Sequence, residues 1–177
     1  MSYYETIYEH AADNYGLITS ANAKAFDVPV VELVKLSHRG RLVKIGHGVY
    51  RIAHYIPTPL DRYADAVAIV GGDAYIYGES VLAMHELALV NPAVIWVATM
   101  KRTRKALPGY IKTISVRAKD RTTYHEGIPS QDIVSAILVC RDSVMTDRLN
   151  DAIHEATKQG LITQEEAAYV SKELRHG

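Results

Sequence analysis

Cysteine is nearly absent: Cys140 is the only one in 177 residues. One thiol closes no internal disulfide and builds no cysteine-based metal site, so a reducing, cytoplasmic home is expected. Long apolar runs are missing too. None approaches the ~20 residues that span a bilayer, and no charged-then-apolar leader opens the chain, so neither export nor contact with a membrane is expected. Net charge is also lacking, because 20 Lys and Arg balance 20 Asp and Glu. That balance hides a segmental signal. Net charge is +1 over residues 1–54, −4 over 55–100, +7 over 101–121 and −4 over 122–177. Two basic islands on acidic ground suit a chain that meets a polyanion locally.

Catalytic constellations are absent as well. His85-Glu86 has no second histidine four residues after the first, which a zinc-peptidase helix needs to set two ligands on one face. Gly71-Gly72-Asp73 lacks the further glycines and the lysine of a phosphate cradle. No Asp-x-Asp pair follows Gly78-Glu79-Ser80, no acid pairs with a Glu-x-Lys, and the histidines are scattered. No enzymatic activity, cofactor or metal is therefore expected.

What is present is a stretch from Gly16 to Ile52 whose punctuation predicts a winged helix-turn-helix. Thr19 and Ser20 are N-cap residues for a short Ala-rich helix over Ala21–Phe26. Asp27-Val28-Pro29 breaks it and opens a second helix from Pro29 to Arg39, which Gly40 stops. Leu33 and Leu36 share the packing face, while Lys35, His38 and Arg39 sit off it. Two runs rich in β-branched residues, Leu42–Ile45 and Val49–Ile52, flank Gly46-His47-Gly48 and predict a two-stranded wing. Between Lys24 and Arg51 six cations face two acids. Ahead of this motif, Tyr4, Ile7, Tyr8, Ala11, Ala12 and Tyr15 recur at helical spacing, which predicts a supporting helix with an aromatic core stripe rather than a stacking surface.

Ile56-Pro57-Thr58-Pro59 reads as a stiff connector, dividing the chain into a domain over 1–56 and another over 57–177. The second is expected to mix helices with a small β-sheet, so the whole is α+β. Helices are predicted from Leu60 to Gly71 and from Gly78 to Leu89, with strands at Ala74–Tyr77, Val94–Thr99 and Ile111–Val116. From Gly127 onward the pattern predicts only helices, the last opened by a capping box at Thr163 and Glu166. Lys101, Arg102, Arg104, Lys105 and Lys112 head the second basic island, read either as a solvated loop or as a second patch for DNA or a partner.

The run ending Arg39-Gly40-Arg41-Leu42-Val43-Lys44-Ile45-Gly46-His47-Gly48-Val49-Tyr50 resembles the N-terminal domain of the abortive-infection AbiEi antitoxins, with their rrGxLxxvxxGvY signature. Glu79-Ser80-Val81-Leu82-Ala83-Met84-His85-Glu86-Leu87, followed by Asn91-Pro92 and Val94–Thr99, is similar to that family's second-domain pattern SheSALxlhgL…p…ihvt. Where the family carries serine-histidine before the glutamate, this chain has Tyr77-Gly78. The resemblance implies an autorepressor of its own operon whose second domain counters a nucleotidyltransferase toxin.

On the residues themselves, the leading expectation is double-stranded DNA, with two copies dimeric on an inverted-repeat operator. Lys35 and His38 are placed nearest base edges, Lys24, Arg39, Arg41 and Lys44 near phosphates and His47 at the wing tip, and Arg51 is counted among the DNA-binding cations. The alternative is a protein-interaction module, because Val30, Val31 and Val34 make this helix unusually apolar for a DNA reader.

Overall fold

The computed structural model describes residues 1–90 and 93–177, so the Asn91-Pro92 step of the second motif lies outside the described residues. The protein is mixed α+β, and its contacts divide it into two compact units, Met1–Gly71 and Gly72–Gly177. No helix among the described residues is long and apolar enough to cross a membrane.

In the first unit the order is α1 (Tyr3–Ala12), β1 (Leu17–Thr19), α2 (Ser20–Ala25), α3 (Val30–His38), β2 (Leu42–Gly46), β3 (Val49–Ile52) and α4 (Asp61–Val70). The three strands form an antiparallel sheet in the order β1-β3-β2. Three helices, a leading strand and a closing hairpin make the winged helix-turn-helix that the punctuation predicted. Thr19 is the cap of α2, its hydroxyl accepting from Asn22 N at 3.1 Å while Asn22 Oδ1 accepts from Thr19 N. Asp27 turns the chain in the left-handed region, at φ +56, which aspartate tolerates better than most side chains. Gly40 ends α3 at φ +73, where Arg41 N donates to Leu36 O. Ile7, Ala11, Ile18, Ala23, Val28, Leu33, Leu36, Leu42, Tyr50 and Ile52 form the core, with Tyr4 and Tyr55 packed against it.

Three local expectations are corrected here. The aromatic stripe of α1 is only partly core: Ile7 and Ala11 are buried, whereas Tyr8 and Ala12 are exposed. Strand β1 was not foreseen, because three residues are too few for alternation to register; its partner β3 recruits it. The proline-rich connector marks a bend inside the first unit. After it, α4 returns to the winged helix, where Asp65 pairs with Arg51 and Tyr55 Oη donates to Asp61 Oδ1 at 2.8 Å. A Cβ on Gly46 would stand 2.9 Å from Ile69 Cγ1. The first compact unit therefore runs past the expected limit at residue 56 to Gly71.

The second unit contains β4 (Tyr75–Ile76), α5 (Glu79–Met84), β5 (Ile95–Thr99), β6 (Ile111–Ser115), β7 (Thr122–His125), β8 (Ile128–Gln131), α6 (Ile133–Val139), α7 (Thr146–Lys158) and α8 (Gln164–Arg175). Its mixed sheet has the order β6-β5-β4-β8-β7. The hairpin β7–β8 overturns the expectation of helices only from Gly127 onward. Glu126 and Gly127 form its two-residue turn at φ +48 and φ +80, the paired positive values of a type I′ turn. Helix α5 stops at Met84, short of the expected Leu89, because Glu86 turns left-handed at φ +53. The capping box of α8 is as expected, with Thr163 and Glu166 holding each other's backbone N–H.

Candidate nucleic-acid interface

Burying Leu33 and Leu36 fixes how α3 is rotated, since residues about 100° apart round the axis can present only one stripe inward. The opposite stripe carries Val31, Val34, Lys35 and His38, and all four are exposed. Lys35 Nζ forms an ion pair with Glu32 Oε1 at 3.0 Å across one turn. Exposed pairs of this kind are weak, so the ammonium remains available to a stronger anion.

The flanking cations come from three elements. Lys24 is exposed in the last turn of α2, Arg39 caps α3, and Arg41 leads into β2 with its guanidinium 3.9 Å from the centre of the Tyr4 ring. That stacking sets the Arg41 guanidinium against Tyr4 of α1, an arrangement the sequence did not reveal. Lys44 is exposed on β2, and His47 is exposed at the tip of a hairpin whose turn closes through Gly48 at φ +67. A Cβ on Gly48 would lie 2.9 Å from Ser20 Oγ, so this glycine lets the wing lie against the start of α2.

Arg51, counted with the DNA-binding cations, is engaged within the first unit. Its Nε donates to Tyr15 O at 3.1 Å, its Nη1 donates to Asp65 Oδ2 at 3.3 Å, and Nη2 closes the ion pair. The two side chains are only 17% and 16% exposed. Burial pushes the Asp65 carboxyl up, against the pull of Arg51. This arginine fastens α4 to the sheet.

Exposed apolar surface accompanies the cations. Val31, Val34 and Val43 are 54%, 41% and 55% exposed. In the second unit, Lys101, Arg102, Arg104 and Lys105 are exposed in the loop between β5 and β6, which Thr99 turns by donating to Lys101 O at 2.6 Å. Lys112 is exposed on β6, the edge strand, where a charge also discourages pairing with another chain.

Comparison of the sequence with curated proteins returned no match. A family model does match, that of the transcriptional regulators described as AbiEi antitoxins, over residues 5–53. Those residues run from α1 through β3, so the similarity to the AbiEi antitoxin family of transcriptional regulators covers the winged helix of this protein.

Proposed function

We propose that the protein is a cytoplasmic DNA-binding autorepressor and the antitoxin of a toxin–antitoxin pair. The observation that carries this reading is the outward stripe of α3, where Lys35 and His38 stand between exposed cations of α2 and the wing. Helix α3 enters the major groove with these two side chains nearest the base edges. Lys24, Arg39, Arg41 and Lys44 hold phosphates, and His47 reaches the adjacent backbone or minor groove. Arg51 takes no part. With its one arginine at the C-terminal end, α3 discriminates sequence weakly by itself, and two copies on an inverted repeat supply the rest. The second unit counters a nucleotidyltransferase toxin, and Lys101, Arg102, Arg104, Lys105 and Lys112 grip flanking phosphates or that partner.

Replacing Lys35 and Arg39 together by Ala is expected to weaken operator binding at least tenfold in a gel-shift assay with the melting temperature unchanged. Unaltered retardation would refute the groove assignment. A second reading is favoured by the exposure of Val31, Val34 and Val43, which suits an apolar protein partner. Salt separates the two. Neutralising about five phosphates gives a slope of log K against log salt near −4.5, whereas an apolar protein interface responds weakly.

A further inference from the structure

The second unit holds a small cleft of about 190 Å³ between the β4–α5 junction, β5, β6 and α6. Its walls include Tyr77, Glu79, Trp96, Ile114, Val139 and Cys140. Among the described residues Glu79 makes no hydrogen bond or ion pair, and neither Tyr77 Oη nor Trp96 Nε1 has a partner. Glu79 is half-buried and shares the lining with Cys140, whose thiol burial pushes up to about 12, with the Glu79 charge adding to the push. One carboxylate without a partner beside two aromatic side chains, in a largely apolar recess, forms an environment for an organic cation.

We infer that this cleft takes a guanidinium group, the arginine side chain of a protein partner. Planarity favours guanidinium over ammonium, because a flat cation lies against Trp96 or Tyr77 while its forked N–H groups meet the Glu79 carboxylate. Volume favours a side chain over a free metabolite, since free ligands usually occupy about 300 Å³ or more. Thiol chemistry has no place here, because a neutral Cys140 is only a wall. The inference rests on the second unit alone and is independent of the DNA reading.

Trp96 is the only tryptophan, so its fluorescence in the full chain reports the cleft directly. N-acetyl-arginine amide is expected to change that emission saturably, with a dissociation constant on the order of 1 mM. The neutral isostere N-acetyl-citrulline amide is expected to give no saturation. Glu79→Gln should weaken arginine amide binding tenfold or more, and Val139→Phe should block it by filling the mouth, each with an unchanged melting temperature. Equal binding of the citrulline compound, no saturation by either compound, or indifference to Glu79→Gln would overturn the proposal. Tighter binding of free arginine than of its capped amide would assign the cleft to a metabolite and overturn the partner reading.

Discussion

A single arginine illustrates how a residue's chemistry is set by what lies far along the chain. Counted among its neighbours, Arg51 is one more cation in a basic run; in the fold it is held by Tyr15 O and Asp65. Removing it leaves a mostly buried carboxylate without its partner, which typically costs about 3 kcal/mol. Arg51→Met is therefore expected to lower the urea midpoint strongly, and Arg51→Met with Asp65→Leu to restore most of the loss. Equal midpoints for the single and double variants would show that the pair does not act as a unit. His85 makes the second residue-scale case. Burial, with His125 4.0 Å away ring to ring, pulls it down from 6.5 to about 4. The folded chain thus binds fewer protons at this ring than the unfolded chain between those values, so stability falls as pH drops from 6.5 towards 4. Urea melts at pH 7.5 and 5 should show that decline, and His85→Leu should flatten it; a slope indifferent to the ring would disprove the assignment. The cations Lys24, Lys35, Arg39 and Lys44 were legible as exposed because helix and strand periodicity places them outward. Arg51 was not, because Asp65 belongs to an element the proline-rich connector made look separate.

Elements were read best where punctuation is strong and worst where pairing decides. The α2–turn–α3 segment announces itself through Thr19, Asp27-Val28-Pro29 and Gly40, each a local conformational constraint. Strand β1 carries no such marker and exists because β3 offers it an edge. The β7–β8 hairpin hid behind a Glu-Gly turn, since Asn-Gly or Asp-Gly is the stronger signal for two successive positive φ values. Glutamate pays a penalty at φ +48 that asparagine largely avoids. Glu126→Asn is accordingly expected to stabilise the protein by about 0.5 kcal/mol, read as a raised melting temperature, while Gly127→Ala should destabilise by about 1 kcal/mol. The Cβ at Gly127 would meet nothing within 4 Å, so any loss measures backbone conformation and not a clash. A stabilising Gly127→Ala would contradict the left-handed turn.

Across the whole molecule, charge is partitioned although the total is zero. In the first unit six of the seven cations lie between Lys24 and Arg51, on α2, α3 and the wing, against the two acids Asp27 and Glu32, whereas α1 carries only acids; the second unit gathers a +7 segment at 101–121 within an otherwise acidic sequence. Composition by segment made that division visible before any element was placed. It did not reveal where the first compact unit ends, because a Pro-Thr-Pro bend and a domain linker share one composition and only the returning contacts of α4 tell them apart. A consequence for dissection follows. A fragment of residues 1–71 retains Asp65 for Arg51, Asp61 for Tyr55 and Ile69 against Gly46, whereas a fragment of 1–56 leaves Arg51 with Tyr15 O alone and no carboxylate partner. A unit this small holds only about 5 kcal/mol of stability, and loss of the ion pair alone removes a large share of it. Fragment 1–71 is therefore expected to melt cooperatively and to retard operator DNA, and fragment 1–56 to do neither at 37 °C, a temperature at which so thin a margin leaves it mostly unfolded. Cooperative melting of 1–56 with the same midpoint as 1–71 would mean that α4 is an accessory to the winged helix and that the expected boundary at residue 56 was the physical one.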